Sequence, residues 1–125
     1  MIAISLGQSC FNEPCGEQNI VLVTAPKKDY SSMDEFVWEA LSYLDSDDEF
    51  ADNWKARYDN YTDSEAKEEE LEWMLSRFSE MSERVSILHG PVIKAVYVTT
   101  PEWNDKTLAI ETPQEYVFYW WGTSA

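Results

Sequence analysis

Residues 115–121 read Glu-Tyr-Val-Phe-Tyr-Trp-Trp, and this stretch decides the fold more than any other part of the chain. Side chains alternate between the two faces of a strand. One face would carry Tyr116, Phe118 and Trp120, and the other Val117, Tyr119 and Trp121. Because both faces are bulky, the pattern predicts a central strand covered on both sides. The alternative is that one face, or the Trp120-Trp121 end, is an exposed aromatic patch and therefore an interface.

Further β-rich runs lie toward both ends of the chain. They cover residues 1–6, 20–24, 85–89, 92–100 and 107–111. The first two runs are expected to pair as a hairpin around a long loop, and Pro26 ends the second run. Gly90-Pro91 marks a turn.

Helical patterns fill the middle of the chain, and each begins at a capping-box spacing. The first starts near Ser32, which stands three residues before Glu35. The second starts at Ser46, three residues before Glu49, and carries the aromatic stripe Phe50, Trp54, Tyr58 and Tyr61. The third covers about residues 64–84, after the pair Thr62 and Glu65, with Leu71, Met74, Leu75 and Phe78 on the face toward the sheet.

These elements predict one α+β domain over residues 1–125. Its mostly antiparallel sheet is built from N- and C-terminal strands and packs against a central block of about three acidic helices.

Charge is concentrated in that helical block. Residues 29–83 hold 18 acidic and 4 basic side chains, which accounts for −14 of the net charge of −15. Such a chain is repelled by nucleic acid and by anionic membranes, which are polyanions. The sequence therefore predicts a cationic protein partner, with no direct contact to nucleic acid or membrane.

Targeting signals are absent from the sequence pattern. No run approaches the roughly 18 apolar residues that a membrane span needs, and the first residues lack a basic leader. We therefore expect a cytoplasmic protein, monomeric or homodimeric, whose Cys10 and Cys15 are free thiols.

Metal and catalytic patterns are weak. An EF-hand aligned on Asp45 would need Gly where Phe50 stands and Glu where Ala56 stands. The glutamates at 65–72 have no neighbouring His for a di-metal site. A catalytic Cys10 would need His89, the sole histidine, which is distant in sequence. The sequence predicts no enzyme, cofactor or metal.

These features favour a non-catalytic protein inhibitor that neutralises a basic enzyme, one that acts on nucleic acid. In composition the chain resembles toxin-immunity and anti-defence proteins, some of which mimic the charge of nucleic acid. One alternative is a small enzyme or ligand-binding domain with a site between sheet and helices. Another is a structural adaptor subunit.

The nominated partner-binding residues are of two kinds. The carboxylates are chosen because acidic residues are dense around them, and the tryptophans because they lie near that charge or near the chain end. They are Asp47, Asp48, Glu49, Asp52, Trp54, Glu68, Glu69, Trp120 and Trp121.

Overall fold

Six strands form one antiparallel sheet in the computed structural model, which describes residues 1–7, 18–47, 53–80 and 88–123 (backbone only for Ser79 and Glu80). The strands are β1 (Ile2–Leu6), β2 (Asn19–Pro26), β3 (Ser64–Glu65), β4 (Lys94–Tyr97), β5 (Asp105–Glu111) and β6 (Glu115–Gly122). Their order across the sheet is β1-β2-β6-β5-β4-β3. The expected pairing of the first two strands is confirmed.

Strand β6 lies between β2 and β5 and is covered on both faces, as its sequence predicts. Tyr116 and Phe118 belong to one hydrophobic cluster, together with Val21, Val23 and Val96. Val117, Tyr119 and Trp121 belong to a second cluster, with Ile20, Leu22 and Ile110. A sheet buried on both sides explains why β2 and β6 are apolar at nearly every position.

Two α-helices occur in the described residues, α1 (Met33–Ser46) and α2 (Glu68–Ser76). Short 3-10 helices cover Lys27–Asp29, Trp54–Asn60 and Arg77–Glu80. The side of the sheet that bears Phe118 packs on α1 and on the 3-10 helix Trp54–Asn60; we call it the α1 face. The opposite side, which bears Tyr119, packs on α2 and is the α2 face. An α+β fold is therefore confirmed.

Helix α1 begins as its sequence predicts. The Ser32 hydroxyl accepts a hydrogen bond from the Glu35 N–H at 3.2 Å, which satisfies one of the open donors of the first turn. The return bond differs from the expected capping box, because the Glu35 carboxylate accepts from the N–H and hydroxyl of Ser31 rather than from the Ser32 N–H.

The predicted second helix is wrong at its start. Ser46 is the last residue of α1, and its hydroxyl donates to the Tyr43 carbonyl at 2.7 Å. The next described element is the 3-10 helix Trp54–Asn60. The Asp45 carboxylate accepts the N–H groups of Trp54 and Lys55 and so caps this element from a distant point in the sequence. Glu49 and Phe50 lie outside the described residues.

The predicted third helix also starts too early. Ser64 and Glu65 form β3 and pair with β4, so the capping box of Thr62 and Glu65 does not form. The Thr62 hydroxyl instead donates to the Tyr97 carbonyl at 2.9 Å. Pairing with the sheet has overridden local helix propensity. The expected residues 81–84 of this helix lie outside the described part of the chain.

The predicted strand at 85–89 is only partly covered by the description. Residues 85–87 lie outside it, and Leu88 and His89 belong to no strand. The strands expected at 92–100, 107–111 and 115–121 are present as β4, β5 and β6 with shifted ends.

Candidate functional site

Carboxylates of the last two strands are matched with bases. The ion pairs are Asp105 with Arg57 at 3.1 Å, Glu111 with Lys27 at 2.6 Å, and Glu115 with His89 at 3.2 Å. Within residues 29–83, the Glu70 carboxylate is ion-paired and lies 3.2 Å from Lys106. Two of the nine Lys and Arg side chains, Lys27 and Arg57, therefore pair with carboxylates of β5.

Three of the four bases in residues 29–83 lie against tryptophan rings, and the fourth, Lys67, is exposed between Glu65 and Glu68. The Lys55 ammonium is 5.8 Å from the centroid of the Trp38 ring, and the Arg57 guanidinium is 5.0 Å from that of Trp54. The Arg77 guanidinium is 4.3 Å from the centroid of the Trp73 ring. Each distance is within the range of cation–π attraction. These bases therefore contribute to ring packing rather than pairing with the carboxylates of α1 and α2.

Exposed carboxylates follow the chain from α1, around the β3 end of the sheet, to α2. We call this set the acidic edge: Asp34, Asp59, Asp63, Glu65, Glu68 and Glu69, all exposed. The Tyr61 hydroxyl joins its two parts, because it lies 2.7 Å from an Asp34 oxygen and 3.2 Å from an Asp63 oxygen. A hydroxyl donor stabilises the carboxylates without cancelling their charge.

Two pKa shifts in this region have clear causes. Burial, followed by the hydrogen bond to Asp34, raises the pKa of Tyr61, so its hydroxyl stays a donor at neutral pH. The Ser31 hydroxyl, followed by the Ser31 N–H, lowers the pKa of the Glu35 carboxyl at the start of α1. The second shift, in the pKa of Glu35, favours the ionised form of that carboxyl.

The nominated acidic residues fall in different places. Asp47 follows α1, and its N–H donates to the Leu44 carbonyl at 3.4 Å. Glu68 and Glu69 stand in the first turn of α2, across the sheet from α1. Asp48, Glu49 and Asp52 lie outside the described residues. Sequence density alone missed Asp34, Asp63 and Glu65, because the last two were assigned near a helix start rather than to the sheet edge.

The nominated tryptophans are largely internal. Trp54 and Trp121 are 3% and 6% exposed, and Trp120 is partly buried. The indole N–H of Trp120 donates to Asp105, and that of Trp121 donates to the Gln18 side-chain oxygen, both at 3.1 Å. The alternative of an exposed patch at the Trp120-Trp121 end is therefore wrong, because Trp121 is part of the α2-face core.

Two other tryptophans are exposed instead. Trp103 is 70% exposed at the turn between β4 and β5, where Glu102 and Asp105 pair across the turn. Trp38 is 42% exposed on the outer side of α1, and its ring centroid lies 5.1 Å from that of Tyr58. The sequence signal for Trp103 is a large aromatic residue in a polar connection, 101–106, where core packing does not require one.

A polar cavity of about 570 Å³ lies between the 3-10 helix Trp54–Asn60 and the β4–β5 turn. Its walls include Asn53, Asn60, Thr99, Thr100, Arg57 and Asp105. The charged pair in this cavity is already bonded to itself, since Arg57 Nη1 lies 3.1 and 3.2 Å from the two Asp105 oxygens. The cavity is lined on one side by Asn60, which follows Asp59 of the acidic edge, and on the other by Glu102, which precedes Trp103 in the turn.

His89 is mostly exposed, and its Nδ1 lies 3.2 Å from both carboxylate oxygens of Glu115. Cys10 and Cys15 lie outside the described residues, so their pairing with His89 stays untested. Across the described ranges, no three His, Cys, Asp or Glu side chains are grouped closely enough to hold a metal ion.

No protein-family model, curated protein or solved structure matches this chain. None of the helices in the described ranges has the length and apolar character required to cross a membrane.

Proposed function

We propose that this protein is a non-catalytic inhibitor that binds a basic, nucleic-acid-acting enzyme and covers its substrate groove with the acidic edge. It would act in the cytoplasm in the manner of toxin-immunity or anti-defence proteins, as a mimic of nucleic-acid charge. The observation that carries the proposal is the division of charge: in the described residues the carboxylates of β5 and β6 are each paired with a base, whereas no ion pair is seen for the acidic edge, where Lys67 stands between Glu65 and Glu68.

The cost of that arrangement supports a functional role. Glu68 and Glu72 stand four residues apart on α2. Like charges at such spacing on a helix repel one another. Lys55 and Arg77 lie against tryptophan rings rather than beside these carboxylates, which leaves Lys67, next to Glu68 in the sequence, to offset part of the repulsion. A surface that retains such repulsion is suited to a partner that supplies the missing positive charge.

Trp103 and Trp38 would then hold the bound enzyme. Both flank the 3-10 helix Trp54–Asn60, one through the polar cavity and the other through Tyr58. Exposed tryptophans are common energetic centres of protein interfaces. This assignment replaces Trp54 and Trp121, whose burial leaves them no direct contact with a partner.

The test begins with a pull-down from the native host to obtain the partner. Association and dissociation rates are then measured at low and moderate salt for Glu65→Lys and for Asp29→Lys. Each variant changes the net charge equally, but Asp29 lies at the 3-10 helix before α1, outside the acidic edge. We expect the first variant to slow association more and to weaken its salt dependence. Equal effects would mean that net charge alone matters.

Two further variants complete the design. Trp103→Ala is expected to speed dissociation and leave association nearly unchanged, because close contacts act after encounter. The triple reversal of Asp47, Asp48 and Asp52 to Lys tests the site nominated from the sequence. A folded triple variant that binds normally, beside a weakened Glu65→Lys, would place the contact on the acidic edge. Normal binding by all of these variants would overturn the inhibitor proposal.

A further inference from the structure

The outer edge of β1 is unprotected. In the described part of the chain, β1 is the end strand of the sheet and has β2 as its one strand neighbour. Residues 1–7 contain no charged side chain and no proline. Natural edge strands usually carry a lysine, a proline or a bulge that blocks further pairing. Among the described residues, no strand pairs with the outward backbone donors and acceptors of β1, and the strand has no lysine or proline.

Two exposed isoleucines line the same strand. Ile2 is 63% exposed and Ile4 is 41% exposed. Ile4 pairs with Leu22 of β2, which places both isoleucines on the α2 face, beside the buried Ile20 and Leu22. The apolar surface of the α2 face therefore continues to the edge and stops there uncovered.

We propose that the outer edge of β1 pairs with β1 of a second copy of this chain, forming an antiparallel dimer about a two-fold axis normal to the sheet. Such an axis keeps each face of the sheet on the same side, so opposed residues must come from the same face. Even-numbered residues then oppose even-numbered residues. In one register, Ile2 of each copy opposes Ile4 of the other. In a second register, the two Ile4 residues oppose each other. Cross-strand pairs of β-branched residues stabilise a sheet.

The distribution of charge is the reason to expect a second copy of the chain at the β1 edge. A cationic partner would be drawn to the acidic edge, which lies at the β3 end, the opposite side of the sheet from β1. Helix α1 lies over β5 and β6. In the dimer, the two copies of β6 are five strand spacings apart, about 24 Å at about 4.8 Å each. That exceeds the screening length of about 8 Å at physiological salt, so β1, which carries no charged side chain, is where two such acidic molecules can meet.

The dimer is expected to be weak and to respond to salt in the direction opposite to partner binding. The contact of one short strand is far smaller than a standard stable interface. Raising the ionic strength from about 0.01 M to about 0.15 M shortens the screening length from about 30 Å to about 8 Å, so dimerisation should strengthen. Binding of a cationic enzyme should weaken over the same range. The two proposals can therefore fail separately.

Sedimentation equilibrium of the full chain, up to about 1 mM protein to reach weak affinities, tests the dimer at both salt concentrations. Ile4→Lys places a charge on the edge and should leave a monomer at every concentration. Ile93→Lys is the matched control, because Ile93 is 56% exposed at the far side of the sheet beside β4. It makes the same change in charge and should dimerise like the unaltered chain. Ile2→Lys gives a second edge variant if Ile4→Lys unfolds.

Hydrogen exchange of the unaltered chain provides a readout that needs no variant. The outward-facing β1 amides should become protected as protein concentration rises, while the β3 amides do not. A chain that stays monomeric throughout would overturn the proposal, as would protection of β1 only when another protein is added. A dimer that survives both Ile2→Lys and Ile4→Lys would show that a different surface is used.

Discussion

The two faces of the sheet are built very differently. On the α1 face, α1 buries six side chains: Met33, Phe36, Val37, Ala40, Leu41 and Leu44. On the α2 face, α2 buries only Met74. That helix is also held by the Trp73 ring, 4.8 Å from that of Trp121, and by the Tyr119 hydroxyl. One helix is fixed by a broad apolar stripe, whereas the other depends on a few contacts that the sheet supplies.

The largest expected effect is on the α1 face. Phe36 is fully buried, and its ring stacks on Tyr116 with centroids 5.3 Å apart. Phe36→Ala should lower the free energy of unfolding by about 3–5 kcal/mol, measured by urea denaturation. Trp38→Ala is the control from the outer side of α1 and should cost about 1 kcal/mol or less, since its ring keeps only partial contacts. Similar losses for both would mean that α1 is rotated.

On the α2 face the expected losses are smaller and more localised. Met74→Ala should cost about 2–5 kcal/mol, because its side chain is 1% exposed. Leu75 is only partly buried, so Leu75→Ala should cost clearly less in the same urea experiment. The sequence pattern gave the two residues equal weight. A larger loss at Leu75 would show that α2 presents a different side to the sheet.

The fold was predictable where local pattern and burial agree. Alternation in residues 115–121 predicted both faces of β6, and the stripe of α1 together with Ser32 predicted that helix. The errors have non-local causes. Asp45 caps backbone donors at Trp54 and Lys55, and β4 draws Ser64 and Glu65 into the sheet. Asp45 lies nine residues before Trp54, beyond the spacing of a capping box, and β4 follows β3 only after α2.

The candidate site was less predictable than the fold. The excess of acid in residues 29–83 was visible from composition, but which carboxylates stay without bases depends on where bases such as Arg57 and Lys106 point. The tryptophans were ranked by closeness to charge or to the chain end. Exposure depends on tertiary packing, which buries Trp121 and leaves Trp103 at a turn.

Alkaline pH offers a test of how α2 is attached. Burial raises the pKa of the Tyr119 hydroxyl, with Arg77 opposing the shift, and this hydroxyl donates to the Met74 carbonyl at 2.5 Å. A raised folded pKa stabilises the protein below the unfolded value of about 10. That stabilisation is lost as pH rises above it. We expect the free energy of unfolding to fall above about pH 10. Urea denaturation at a series of pH values measures this change.

Tyr119→Phe is the matched variant for that series. At neutral pH it should cost about 1 kcal/mol, the usual net value of one hydrogen bond, and its alkaline loss should be smaller than that of the unaltered chain. The pKa of Tyr61 is also raised, first by burial and then by Asp34, so some alkaline loss should remain. An unchanged pH profile in Tyr119→Phe would show that this hydroxyl is not what ties α2 to the sheet.

The smallest expected effects concern the charge on α2, where two glutamates of one helix should respond with opposite signs. Glu72 lies three and four residues after Glu69 and Glu68, and repulsion at such spacing costs about 0.2–0.5 kcal/mol per pair. Glu72→Gln should therefore raise the melting temperature slightly and reduce the stabilisation produced by added NaCl. Glu70→Gln is the same chemical change two residues away, but it breaks the ion pair with Lys106, whose side chain is 15% exposed. It should lower the melting temperature, because the Lys106 ammonium loses its carboxylate partner.

If both variants melt alike, or if NaCl does not stabilise the unaltered chain, the carboxylates of α2 do not repel one another measurably. The contrast between the paired carboxylates of β5 and β6 and the exposed carboxylates of α2 would then have no energetic basis.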